Sequence, residues 1–275
     1  MRRQKNDAAD AAAICEAVGR PSMRFVPVKS VEQQGLLMLH RTRELLVSQR
    51  TGLINALRGH LAEFGIVIAQ GVQNLAPLLA IVADGSDARL PRNARLALGG
   101  LVRQLEGLGE AVDDLDRQIK RWHAGNATSR ALATIPGIGP VTASAIVASI
   151  TDPAMFRSGR ELAAFLGLVP KQSSSGGKER LGRISKMGDR YLRKLLVVGA
   201  TAVLRYAKAG GSSSKAWAEA LLARKPFKVA AVALANKSAR IVWAILTRGG
   251  VYRDAIGDAI GPGSSAAAQA APAAA

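Results

Sequence analysis

The sequence is poor in the residues that build covalent or metal scaffolds. A single cysteine, Cys15, among 275 residues excludes an internal disulfide framework and any cysteine-cluster metal site. One lone thiol also fits a reducing cytoplasm. The three histidines, His40, His60 and His123, fall in different stretches, which argues against a histidine metal site. Aromatic residues make up only 4%, and strand-like alternation of Val, Ile and Thr is scarce, so a sheet-rich fold is not expected. Acidic residues are in deficit, 20 against 38 Lys and Arg, for a formal charge of +18. That surplus exceeds what solubility requires and points to a polyanionic partner, nucleic acid before membrane. No run reaches the roughly 18 apolar residues of a membrane span. The most apolar stretch, Val229 to Leu246, is broken by Asn236, Lys237 and Arg240. The opening MRRQKNDAADAAA has basic residues but no apolar segment after them, so no signal peptide is expected.

What is present is a helical pattern. Hydrophobic residues reach 48%, enough to bury a core and exclude wholesale disorder. Between Gln33 and Phe64, Leu36, Leu39, Leu46, Leu53 and Leu57 recur, with Arg43, Arg50 and His60 at intervening positions. A cleaner series follows: Leu98, Leu101, Leu105, Leu108, Val112, Leu115, Ile119 and Trp122, in alternating steps of three and four. This is a heptad seam, and it predicts a coiled coil within the chain or between chains. The connection from Gly65 to Ala88 reads as a loop with a short helix, and Gly125-Asn126 breaks the second long helix. The tail from Gly261, PGSSAAAQAAPAAA after it, is uncharged and low in complexity, the composition of a disordered segment.

Three local features carry chemistry. Leu132 to Ile150 reads as two apolar helices around Pro136-Gly137-Ile138-Gly139-Pro140, the pattern of a helix-hairpin-helix. Glycines there let the backbone turn tightly and approach a partner, and the first N–H groups of the following helix can bind a phosphate oxygen. Such contacts position nucleic acid without reading its sequence. A plain packing corner has the same pattern. Next, Pro170 is expected to end an apolar helix and open an exposed loop, Lys171-Gln172-Ser173-Ser174-Ser175-Gly176-Gly177-Lys178. From Lys171 to Lys194 eight cations face only Glu179 and Asp189, a field suited to a phosphodiester. Lys178, Arg180 and Arg183 are the candidate phosphate contacts, while Arg190, Arg193 and Lys194 can equally line a helix facing solvent. On residues alone the loop reads as a phosphate cradle, a solvated linker or the seat of a serine nucleophile. Third, Asp7 and Asp10 lie three apart, one face of a helix, and can hold Mg²⁺ beside a phosphate. First-turn helix acids have the same spacing. Trp217 and Trp243 lie in apolar segments and read as core.

These pieces occur in one recognisable order. Lys5-Asn6-Asp7-Ala8-Ala9-Asp10-Ala11, Arg24 to Ser30, LHRTRELLVSQRTGLINALRGHLAEFGI from Leu39, LATIPGIGPVTA, FLGLVPKQSSSGGKERLGRISKMGDRYLRKLLV and ALANKSARIVWAIL from Ala233 follow one another. From Lys5 to about Tyr252 the chain resembles the DEDD transposases of the insertion-sequence 110 family, nearest its 1111 subgroup. The resemblance implies a mainly α chain: a remnant of an RNase-H/RuvC-like α/β domain (residues 1–30), an antiparallel coiled coil (31–126), a helical C-terminal transposase domain (127–255) and a disordered tail (256–275). The third segment would contain the helix-hairpin-helix at 132–150 and the Ser-Gly loop at 171–178.

The resemblance also implies a transposase that cuts and rejoins DNA. Asp7 and Asp10 stand where the family's last two acids bind Mg²⁺. A serine nucleophile forms a covalent link to DNA; by motif it falls within Ser173 to Ser175, with Ser175 the first choice and Ser174 the second. Implied partners are DNA, an element-encoded noncoding RNA and further copies of the chain in a dimer or tetramer, in a bacterial cytoplasm beside the nucleoid. The family's first Asp and its Glu have no counterpart in the few residues before Asp7. The chain is therefore expected to be N-terminally truncated relative to the family and catalytically impaired alone. The alternative function is a non-catalytic nucleic-acid-binding and oligomerising remnant that modulates a full-length transposase.

Overall fold

The computed structural model describes residues 6–21, 23, 25–173, 178, 180–206 and 213–253. Helices dominate, as the composition predicts. The first, α1 (Asp7–Val18), is capped by Asn6, whose side-chain oxygen accepts from the Ala9 N–H at 2.7 Å. Both Asp7 and Asp10 fall in its first turn, where carboxylates complement the helix dipole. No residue of α1 is buried, and Ile14 and Val18 remain largely exposed.

Helix α2 (Val31–Glu63) begins with a capping box: Ser30 Oγ accepts from the Gln33 N–H, and Gln33 Oε1 accepts from the Ser30 N–H, each at 3.1 Å. It runs antiparallel to α4 (Arg92–Gly125). At one end Trp122 Nε1 donates to Glu32 at 3.2 Å, and further in Arg43 pairs with Asp116. At the other end Leu57 and Leu61 share a core with Leu98 and Leu105. Along α4 every seventh residue, Leu98, Leu105, Val112 and Ile119, is buried, while Leu101, Leu108, Leu115 and Trp122 between them are half-buried. The seam read from sequence is thus the packed face, and each such aliphatic side chain contributes roughly 1.5–3 kcal/mol by leaving water. The link between the long helices holds a short 3₁₀ turn and α3 (Leu75–Ala83). Arg95 closes that corner by donating to the carbonyls of Ile81, Val82, Asp84, Asp87 and Leu90.

Gly125 ends α4, and Asn126 caps α5 (Ala127–Leu132) by accepting from the Ser129 N–H at 2.8 Å. A second core follows, built from α5, α6 (Pro140–Ser149), α7 (Gly159–Phe165), α8 (Arg190–Tyr206), α9 (Ser213–Leu222) and α10 (Phe227–Arg248). Helix α10 is apolar and long enough to cross a membrane by length and composition. Its Ala230, Ala231, Leu234, Ala235, Ala239, Val242 and Ile245 are packed in this second core, largely against α7 and α8. Helix α6 joins the halves. Its small residues Ala143, Ser144, Ala145 and Ala148 are buried and let it lie against both α2 and α4. Gln33 Nε2 also donates to the Val147 carbonyl at 3.2 Å.

One expectation is corrected here. Pro170 does not end a helix: α7 stops at Phe165, and Pro170 opens a strand. Strands β1 (Pro170–Gln172) and β2 (Leu181–Ile184) pair antiparallel, Pro170 opposite Ile184 and Gln172 opposite Leu181. The strand-opening position suits a residue with no N–H to donate.

Candidate nucleic-acid interface

In the sequence, the Ser-Gly segment lies between the two strands of this hairpin. The ladder continues to a Ser173 N–H···O=C Arg180 bond at 2.9 Å. Ser174, Ser175, Gly176 and Gly177 lie outside the described residues, so both proposed nucleophile positions do too. Lys171, Lys178, Arg180 and Arg183 are all exposed on the arms.

The hairpin base is built from close backbone crossings. Gly167 and Gly188 both have positive φ, +69° and +71°, a region that favours glycine. A Cβ on Gly188 would run into the Phe165 carbonyl, and one on Gly167 into the backbone of Met187. Ser185 and Lys186 N–H groups bond to the Val169 and Gly167 carbonyls at 2.8 and 3.2 Å. Asp189 then starts α8 by accepting from the Tyr191 and Leu192 N–H groups at 2.7 and 2.9 Å. Arg193 donates to the Leu166 and Met187 carbonyls at 3.0 and 2.7 Å. Arg193 is therefore a clamp at the hairpin base, not a member of a solvent-facing row. Lys194 pairs with Glu44 of α2 at 3.2 Å, whereas Arg190 is exposed.

The two glycines of the α5–α6 turn behave differently. Gly137 has φ +84°, and a Cβ there would stand 2.8 Å from the Gly199 carbonyl oxygen on α8. Its glycine is required by internal packing. Gly139, the residue before α6, has φ −90° and nothing within 4 Å of where a Cβ would stand. Only Gly139 leaves open space for an approaching partner. It also gives α6 no side-chain cap, so the first turn is not covered by its own N-cap side chain.

Asp7 and Asp10 are exposed on α1. Among the described residues no group of three or more His, Cys, Asp or Glu side chains gathers into a metal-holding cluster. Trp217 and Trp243 are half-buried at the edge of the second core rather than inside it.

A polar chain that the sequence did not suggest ties α2, α6 and α8 together. His40 is fully buried. Its Nε2 lies 3.1 Å from Ser144 Oγ, and its Nδ1 lies 3.1 Å from the Tyr191 hydroxyl. The Ser144 hydroxyl donates to the Pro140 carbonyl at 2.7 Å. With that proton committed, Ser144 must accept from His40, so the imidazole carries its hydrogen on Nε2 and accepts from Tyr191 at Nδ1. Burial, and then the Arg43 guanidinium, hold the His40 pKa down at about 4. Burial likewise pushes the Tyr191 phenol up to about 12, so it stays a donor. A helical run of leucines can be read ahead, but a histidine on such a run carries no signal of what it will meet.

Comparison with known proteins gives one answer. Residues 129–214 match the family described as "Transposase IS116/IS110/IS902 family", and residues 1–66 match a DEDD transposase family of the IS110 type. The chain is 48% identical over 254 residues to a "Probable family 20 transposase" of Pseudomonas aeruginosa, covering 92% of this chain and 75% of that one. It is 42% identical over 253 residues to the "Transposase for insertion sequence element IS1111A" of Coxiella burnetii, covering 92% and 70%. It is 38% identical over 252 residues to the "Transposase for insertion sequence element IS1328" of Yersinia enterocolitica, covering 92% and 75%.

Proposed function

Because this chain belongs to the IS116/IS110/IS902 family of insertion-sequence transposases, we propose that it binds the DNA of its element and breaks and rejoins strands at the tip of the β1–β2 hairpin. The observation that carries this reading is the hairpin base. Two positive-φ glycines, the Asp189 cap and the Arg193 clamp hold a hairpin whose exposed arms are lined with cations. A rigid base is what presents a short reactive loop to a substrate reproducibly.

Ser175 is the proposed nucleophile. Its hydroxyl gives up its proton, Oγ bonds to phosphorus, and one P–O bond to deoxyribose breaks, the leaving deoxyribose oxygen taking up a proton; rejoining runs in reverse. Lys178, Arg180 and Arg183 counter the charge on the phosphoryl oxygens. Asp7 and Asp10 would hold Mg²⁺. Two carboxylates on one helix face suit an ion that keeps several waters and completes its shell with substrate phosphate. The ion would supply charge neutralisation at that phosphate. Gly139 and the first turn of α6 would steady the duplex backbone. Met38, Leu45 and Leu96, 57–68% exposed on the long helices, support self-association, and a guide RNA is a further proposed partner on the same basic surface. The setting that follows is the nucleoid.

The test is a covalent adduct. Purified chain with Mg²⁺ and a nicked element-end DNA should yield a denaturation-resistant protein–DNA species. Ser175→Ala should abolish it and Ser174→Ala should not; the opposite pattern moves the nucleophile to Ser174. Absence of adduct from the unaltered chain, with DNA binding intact, favours a non-catalytic binding protein that modulates a complete transposase. One observation favours that second reading: α1, which carries both metal-binding candidates, buries no residue against the rest of the fold.

A further inference from the structure

A groove of about 760 Å³ opens where α7, α9 and α10 meet. Arg160, Lys237, Arg240 and Arg248 line it together with Trp217 and Trp243, and among the described residues no acidic side chain lines it. The fold forces this gathering of like charge. A Cβ at Gly159 would stand 2.9 Å from the Arg240 backbone, so the start of α7 presses directly onto α10 and sets Arg160 beside Arg240. Cations brought together without a counterion in the lining mark a place for an anion.

The tryptophans narrow the choice of anion. Trp243 is held by its Nε1–H, which donates to the Phe156 carbonyl at 3.1 Å. Lys237 Nζ lies 4.6 Å from the ring centre of Trp217, and the Arg248 guanidinium 6.0 Å from that of Trp243. A phosphate draws such cations off the ring faces and leaves the faces for a base. Basic side chains interleaved with aromatic rings are what unpaired nucleic acid requires. In a duplex the base faces are already stacked on one another. The volume lies in the range of small-ligand sites, enough for about one or two nucleotides.

We propose that this groove holds an unpaired DNA strand. The polymer is assigned from position. A second cleft, about 680 Å³, lies between the hairpin and α10, and the two share Ala233 and Asn236. Arg183, Lys186 and Lys228 line that second cleft. A strand leaving the hairpin tip can follow α10 past these cations into the groove. The choice of DNA rests on the hairpin being where DNA is joined; the existence of a single-strand site does not.

The test uses the whole chain and three labelled probes: a twelve-residue oligothymidylate, a twelve-base-pair duplex and a twelve-residue oligouridylate. The double change Arg160→Ala with Arg240→Ala alters two exposed residues and should spare the fold, which a thermal melt checks. It should weaken oligothymidylate binding by about tenfold or more. Its salt slope should fall by about 1.4, at roughly 0.7 per phosphate contact for a single strand. Duplex affinity should change less than about twofold. Trp217→Ala should cost about tenfold for the single strand, and Trp217→Phe should restore most of it, because a smaller ring still stacks.

Unchanged single-strand affinity in the double variant overturns the proposal. So does an equal loss for duplex and single strand, which would make the groove part of a general basic face. A loss confined to oligouridylate replaces DNA with RNA. Ser175→Ala should leave oligothymidylate binding intact. Loss of the covalent adduct in that variant with binding retained is a result about the serine alone, and loss of single-strand binding with the adduct retained is a result about the groove alone.

Discussion

Acidification should loosen the junction between the two cores through one residue, and the size of the effect follows from His40. Its imidazole is moved from the usual 6.5 to about 4, first by burial and then by Arg43. A native state that keeps His40 neutral binds fewer protons than the unfolded chain between those two values. Stability is therefore complete above about pH 6.5 and is lost as pH falls toward 4. Linkage with these two values gives a loss of about 1 kcal/mol at pH 5.5 and about 2 to 3 kcal/mol at pH 4.5. The hydrogen bonds explain why the charged form is excluded. A proton on Nδ1 would turn the Tyr191 hydroxyl from donor to acceptor and set a cation beside Arg43. Glu44 and Asp189 also face Tyr191, and Asp116 faces both His40 and Arg43. The comparison is made against a variant, so that contributions from every other residue cancel. Urea unfolding of the unaltered chain and of His40→Gln, from pH 7.5 to 4.5, isolates the histidine. The stability difference should shrink or reverse by about 2 to 3 kcal/mol in favour of His40→Gln across that range. A difference that stays flat within about 0.5 kcal/mol would refute the reasoning, as would an imidazole NMR titration with a midpoint above 6.

The other expectations concern packing and backbone. Gly137→Ala should lower stability by about 3 kcal/mol in a urea titration, since it combines a left-handed backbone with a contact on the Gly199 carbonyl. Gly139→Ala should leave the unfolding midpoint nearly unchanged and so becomes the clean probe of phosphate approach at α6, read as DNA affinity. Ile119→Ala, at a fully buried seam position, should cost about 3 to 4 kcal/mol by calorimetry. Leu96→Ala, on an exposed face of the same helix, should stay within about 0.5 kcal/mol. Arg193→Met should keep α8 helical by circular dichroism yet slow adduct formation, because the clamp on the Leu166 and Met187 carbonyls is gone.

Some of this was legible beforehand and some could not be. The α4 seam was, because its packed face repeats within a single helix at a fixed spacing. The end of α4 at Gly125-Asn126 was, because Asn126 serves as the cap of the next helix. The β1–β2 hairpin was not. Every residue of β1 is exposed, so no alternation marks it, and its ladder is a backbone property. Gly167 and Gly188 were invisible for a related reason: their need for glycine comes from segments about 20 residues apart crossing in space. The tryptophan groove fails differently. Its lining comes from three separated stretches, and each tryptophan read alone sits on an apolar helix and looks like core.

The cations make the same point about function. A charge of +18 predicts a nucleic-acid partner but does not say which side chains meet it. The fold uses several basic residues in contacts of its own. Arg95 collects carbonyls at the corner after α3, Arg193 clamps the hairpin, Arg43 pairs with Asp116, and Lys194 pairs with Glu44. Removing Arg95, Arg193 or Arg43 would weaken DNA binding through the fold, and a charge scan alone would misread that as lost contact; the solvent-exposed Lys194–Glu44 pair holds little of it. Lys171, Arg180 and Arg183 on the hairpin arms, and Arg160 and Arg240 at the groove, are exposed instead. A phosphate contact and a structural clamp then differ in one observable. Losing the first lowers the salt slope of binding at unchanged melting temperature. Losing the second lowers the melting temperature, and DNA affinity falls only by the fraction of chain unfolded.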